Sequence, residues 1–208
     1  MTKAERTFDM VHGTQRIYRH LLDCMAKPGV IRNIRGSFEM TAQDHGLSPV
    51  LAAVAFTLID REVSFHLMCE RSDDARKFLQ WKTFSRHRPL PDADYVLIQR
   101  RLNGREVREV MAQVKRGTLA DPHLSATVFL LVTHVSQAEG GAGMVLHLRG
   151  PGIKGRRTCH VEGLLPEWLE ERQSINREFP LGIDIVLVTE SGDMLALPRT
   201  TLIESEEL

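Results

Sequence analysis

Val128 to Val132, "VFLLV", is an uninterrupted apolar run inside the longer stretch "ATVFLLVTHV". Its β-branched and aromatic residues suit a strand, and a strand that is apolar on both faces must be covered on both sides. That places it centrally in a sheet with a layer above and a layer below. Upstream of the run, segments of helical periodicity alternate with short apolar strands; downstream, strands and turns dominate. The expected fold class is α/β, a single domain over residues 1–208 with a mixed central sheet flanked by helices. Parallel pairing is expected where helices cross over and antiparallel pairing where hairpins occur.

The helices are legible from their apolar spacing. "TQRIYRHLLDCMAKPG" sets Ile17, Tyr18, Leu21, Leu22 and Met25 on one face and ends at Pro28-Gly29. "LSPVLAAVAFTLID" offers Ser48 as N-cap and Pro49 at the first helical position, and is apolar nearly all round, so it belongs in the core. "RSDDARKFLQW" takes Ser72 as cap, with Asp73 and Asp74 at the positive end of the helix dipole. In "NGREVREVMAQVKRG", Val107, Val110, Met111 and Val114 form the i, i+3, i+4, i+7 face. "LPEWLEERQSIN" reads as a short helix. "VIRNI", "VSFHLM", "DYVLI", "MVLHL" and "RTCHV" read as strands, and "IDIVLVTESGDMLALP" as a hairpin turning at Ser191-Gly192.

Composition excludes several classes. The formal net charge is zero, which leaves no chain-wide basic footprint for nucleic acid. The three cysteines, Cys24, Cys69 and Cys159, form no C-x-x-C pair and read as reduced thiols of a cytoplasmic protein. No apolar segment is long enough to cross a membrane, and the N-terminus lacks the apolar core of a signal peptide.

Gly150, Gly152 and Gly155 in "LRGPGIKGRRTCHV" spell G-x-G-x-x-G, the spacing of a dinucleotide-binding turn. That turn needs a helix after the glycines, whereas "RRTCHV" alternates like a returning strand, and Pro151 removes a backbone N–H. A tight turn with positive φ at Gly150 or Gly152 fits better. The neighbouring Lys154, Arg156 and Arg157 read as a solvated loop, with an anion contact as the alternative. No metal-ligand spacing occurs among the nine histidines, and no nucleophile elbow or S-x-x-K is present. No catalytic, cofactor or metal residue is assigned on these grounds.

The ordered segments "YRHLLDCMAKPGV", "GTLADPHLSATVFLLV", "LHLRGPGI", "FPLGIDIVLV" and "LPRTT" resemble the H subunit of the bacterial carbon–phosphorus lyase core complex. The resemblance runs from the first helix to the C-terminus. It implies a fold like the large domain of pyridoxal-phosphate-dependent transferases, reduced and without the cofactor. It implies work beside G, I and J subunits in phosphonate degradation, at the step where a phosphonate displaces adenine from ATP to give a ribose 1-phosphonate 5-triphosphate. It also implies a homodimer when the chain is alone, and a structural or binding role. None of the six lysines has a clear Schiff-base setting, which fits the missing cofactor. The residues carried over are Arg19, Pro28, Gly29, Gly150, Gly152, Phe179, Pro180, Gly182, Asp184, Pro198, Arg199 and Thr200. Prolines and glycines are assigned to backbone shape. Arg19, Asp184 and Arg199 are assigned to contacts with a ligand or an interface, or to a buried ion pair. His123 stands where the family usually has an acid. The competing reading is an independent small-molecule enzyme or anion-binding protein using Lys154 and its neighbours.

Overall fold

The computed structural model describes residues 11–37, 45–138 and 141–206. Its helices are α1 (His12–Ala26), α2 (Pro49–Leu58), α3 (Ser72–Thr83), α4 (Gly104–Gln113) and α5 (Pro166–Asn176). The strands are β1 (Ile31–Asn33), β2 (Ser64–Met68), β3 (Arg86–His87), β4 (Tyr95–Ile98), β5 (Thr127–Val132), β6 (His134–Ser136), β7 (Met144–Arg149), β8 (Arg157–Glu162), β9 (Asp184–Thr189), β10 (Asp193–Leu197) and β11 (Leu202–Glu206). A seven-stranded sheet runs in the order β1-β10-β9-β5-β4-β2-β3. Its strands from β3 to β9 pair in parallel, while β10 and β1 pair antiparallel.

β5 is the middle strand, and both of its faces are covered. Val128, Leu130 and Val132 pack with α4, α5 and the second sheet, whereas Phe129 packs on the opposite side with α1, α2 and α3. The "VFLLV" run therefore has the setting its composition demands. The expected α/β class with a mixed sheet and flanking helices is what forms. The longer reading of "ATVFLLVTHV" as one strand needs correction. The chain leaves the sheet at Thr133, whose N–H is held by the Glu162 carbonyl at 2.9 Å, and His134–Ser136 joins a second sheet.

That second sheet, antiparallel in the order β11-β7-β8-β6, was not anticipated. It turns Leu146, Leu148, Cys159 and Val161 into the same apolar cluster as α4 and α5. Three helix details also differ. In α1, Ile17, Leu21 and Cys24 are buried, but Tyr18 and Leu22 are about half exposed, at 47% and 50%. Ser48 does sit at the N-cap of α2, yet its hydroxyl donates to Glu190 (2.9 Å) rather than to the helix. Ser72 lies inside α3, with Arg71 at the cap. By contrast α4 starts with a capping box, Asn103 and Glu106 each bonding the other's backbone N–H, and Val107, Val110, Met111 and Val114 are buried as the spacing requires.

Candidate functional site

The G-x-G-x-x-G glycines close the β7–β8 hairpin. Gly150, Gly152 and Gly155 have φ of 134°, 79° and 77°, and a strand follows them rather than a helix. The turn rests on the end of α1: a Cβ on Gly152 would lie 2.0 Å from the Ala26 carbonyl oxygen. Lys154 and Arg156 are exposed, but Arg157 is not a free loop cation. Its Nη1 donates to the carbonyls of Pro28 (2.5 Å) and Lys27 (3.3 Å), bracing the turn after α1.

Asp184 and Arg199 form a second centre at the amino ends of β5 and β9. Arg199 Nη2 meets Asp184 Oδ2 at 2.7 Å, with side-chain exposures of 17% and 14%. Arg199 also donates to the Pro122 carbonyl (3.1 Å), the Pro180 carbonyl (3.3 Å) and Ser125 Oγ. Its own backbone N–H donates to Asp184 Oδ1 at 2.7 Å. One guanidinium thus ties "DPHLSAT", "FPLGID" and "LPRTT" together. The ring of contacts continues, since a Cβ on Gly150 would meet the Thr200 carbonyl at 2.9 Å, and one on Gly29 would meet Leu148 at 2.6 Å. All five segments that carried the resemblance are linked by these contacts. Arg19 stands apart from this centre, exposed on α1, and His123 points outward from the short helical turn Pro122–Leu124 while its neighbour's carbonyl binds Arg199.

One lysine has a close acidic partner. Lys115 Nζ lies 2.7 Å from Asp94 Oδ1, both half-buried. Burial raises the Asp94 carboxyl, but hydrogen bonds from Lys115 and Ser64 outweigh it and hold the group below its ordinary value. The pair sits where the chain enters β4.

Two clefts of about 430 Å³ each open on the surface. The first lies beyond the carboxyl ends of β4, β5 and β9, between Arg100, Arg101, Thr133, Trp168 and Glu190. In open α/β sheets ligands collect at such ends, where successive connections leave in opposite directions. Here that divergence falls between β2 and β4, and Gln99 occupies it, bonding the Ser48 N–H (2.6 Å) and the Gly46 carbonyl (2.9 Å). Arg100 is paired with Glu106 at 2.9 Å. The second cleft lies between α5 and the β7–β11 edge, lined by Arg149, Arg172, Arg177, Arg199 and Thr201 among others. No single periodicity marks this second cleft, because its arginines come from three separate segments: Arg149 ends β7, Arg172 and Arg177 belong to α5 and its C-cap, and Arg199 follows β10. Burial lowers the Arg172 guanidinium to about 10, and the field of Asp184 opposes that fall; it stays charged at neutral pH.

Among the described residues no group of three or more His, Cys, Asp or Glu is arranged to hold a metal. The cysteines are buried. Burial pushes the thiols of Cys24 and Cys159 up to about 12 and also raises Cys69. Only thiolate reacts readily. With Ellman's reagent at mildly alkaline pH, Cys24 and Cys159 should stay unlabelled in the native chain and react once urea unfolds it. Rapid labelling of either in the native state would contradict this burial.

A family model described as "Bacterial phosphonate metabolism protein (PhnH)" matches residues 6–204. The chain is 32% identical over 199 residues to the alpha-D-ribose 1-methylphosphonate 5-triphosphate synthase subunit PhnH of Rhizobium meliloti (strain 1021), covering 95% of this chain and 94% of that protein. It is 30% identical over 189 residues, 90% of this chain and 84% of the relative, to HtxG of Stutzerimonas stutzeri, whose name proposes it as a C-P lyase subunit. With the match spanning both sheets and nearly the whole chain, the chain belongs to the PhnH family of bacterial phosphonate metabolism proteins.

Proposed function

We propose that the chain is a binding subunit of a cytoplasmic carbon–phosphorus lyase core assembly, contributing surface and shape rather than the reacting groups. In this reading it supports formation of a ribose 1-phosphonate 5-triphosphate from ATP and a phosphonate, with release of adenine, alongside G-, I- and J-type subunits. Its residues form one domain, like a transferase large domain that has lost its pyridoxal phosphate, and it self-associates as a homodimer when alone. The observation that carries this reading is the use made of the motif residues. Asp184, Arg199, Gly29 and Gly150 are engaged in contacts within the chain. Val11, Tyr18 and Leu22, spaced i, i+7, i+11 along α1, expose apolar surface at 65%, 47% and 50%, which supports a partner-facing side.

The test is co-expression with the other three subunit types, followed by size-exclusion chromatography and an assay of adenine release from ATP and methylphosphonate. The chain should co-purify, the assembly should release adenine only when the chain is present, and the chain alone should release none. Adenine release by the isolated chain, or failure to co-purify, would overturn the proposal. The anion-binding alternative keeps its interest through the arginine-lined cleft, not through Lys154.

A further inference from the structure

The cleft between α5 and the β7–β11 edge contains a charge arrangement that the fold leaves incomplete. Four arginines line it, Arg149, Arg172, Arg177 and Arg199, against two glutamates, Glu170 and Glu204, both exposed. The inner part is more one-sided. Arg172 is 2% exposed, and among the described residues its Nη2 donates only to backbone carbonyls, those of Pro198 and Thr201. The carboxylate whose field acts on it is Asp184, which is already bonded to Arg199. Two guanidinium groups therefore share one carboxylate at the cleft floor.

Two polar atoms buried beneath this floor have no hydrogen-bond partner among the described residues: Arg172 Nε and Thr201 Oγ1. A buried charge without a paired charge and a buried hydroxyl without a hydrogen bond both carry desolvation costs, so such groups are ordinarily satisfied. At the rim, Arg149 and Arg177 are exposed. His147 is engaged elsewhere, with Thr158 at 3.0 Å and Glu206 at 3.5 Å. Arginine forks match tetrahedral oxyanions, and a half-buried setting strengthens such pairs.

We infer that this cleft is a binding site for a phosphorus oxyanion, a phosphate, phosphonate or polyphosphate group. Arg149 and Arg177 grip its outer oxygens, and Arg172 with Thr201 forms the positive floor. The inference does not depend on assembly with other subunits, because every residue belongs to this chain.

The test is calorimetric titration of the purified full chain with orthophosphate, pyrophosphate, methylphosphonate and sulfate. At least one phosphorus oxyanion should bind in the micromolar range, and the tightest identifies the class. The double variant Arg149→Gln/Arg177→Gln, altered only at exposed positions, should bind it about tenfold weaker or worse while unfolding at the parent temperature. Lys154→Gln/Arg156→Gln, in the hairpin turn, should bind like the parent. Thr201→Val should keep or raise the unfolding temperature without ligand and shrink the rise that ligand produces. Equal affinity for sulfate would overturn the phosphorus assignment. Binding no tighter than millimolar, undiminished binding by the rim double variant, or loss of binding in the hairpin variant would each overturn the site. A destabilised Thr201→Val would show that the hydroxyl is already bonded and would overturn its place in the site.

Discussion

Arg199→Leu should lower the stability of the chain by about 3–5 kcal/mol, the usual cost of removing one partner from a buried ion pair. The leucine would leave Asp184 charged with its Nη2 partner gone. It would also strip hydrogen bonds from the Pro122 and Pro180 carbonyls and from Ser125 Oγ. For a chain of this length the loss corresponds to a fall in unfolding temperature of roughly 10 °C or more. Asp184→Leu should cost a similar amount, since Arg199 then becomes the uncompensated charge. The double variant Arg199→Leu/Asp184→Leu should be less destabilised than the sum, because neither partner is left charged and alone. Urea unfolding of the four proteins measures the coupling directly. Additive losses, or a single-variant loss below about 1 kcal/mol, would mean the pair behaves like a solvated surface bridge.

Gly152→Ala and Gly155→Ala separate two costs that a glycine turn combines. Both positions have φ near +78°, at 79° and 77°, so both incur the left-handed penalty of about 1–2 kcal/mol for an L side chain. They differ in surroundings. A Cβ on Gly152 would reach within 2.0 Å of the Ala26 carbonyl oxygen and 3.1 Å of Pro28, while one on Gly155 meets nothing within 4 Å. The first clash is with backbone at the end of α1, which cannot swing aside as a flexible side chain would. Gly152→Ala should therefore add about 1–3 kcal/mol of overpacking to the shared penalty, and Gly155→Ala should not. Equal losses by thermal or urea unfolding would show that the hairpin and α1 separate at little cost. The comparison also bears on the assembly reading, because the apolar residues Tyr18 and Leu22 lie on the same helix that this turn supports.

Local periodicity carried much of the architecture. The heptad-like face of α4, the two-sided strand β5 and the β9–β10 hairpin were readable because each depends on neighbours three, four or two residues away. The glycine turn was readable for the same reason, since residues after Gly155 alternate with period two rather than 3.6. Cap chemistry was less legible. Ser48 has the residue type of an N-cap, but Glu190, 142 positions away in sequence, takes its hydroxyl. The exposure of Tyr18 and Leu22 was hidden too, because an apolar side chain left exposed and one facing the core look alike in the sequence.

Residue spacing alone settled that this chain builds strands and helices of an α/β protein, and the ordered motif segments settled its family. Tertiary structure decided how the strands divide between two sheets, since period-two alternation is the same in either sheet and only the break at Thr133 assigns β6 to the smaller one. It also decided what the motif polar residues do. Arg199 could have faced solvent, a ligand or a carboxylate; folding brings Pro122, Ser125, Pro180 and Asp184 to it from as far as 77 positions away. The unpaired floor of Arg172 and Thr201 arises in the same manner, from segments whose meeting no local spacing encodes. Local sequence specifies which residues can share a face, while burial and charge balance depend on which distant segments the closed core brings together.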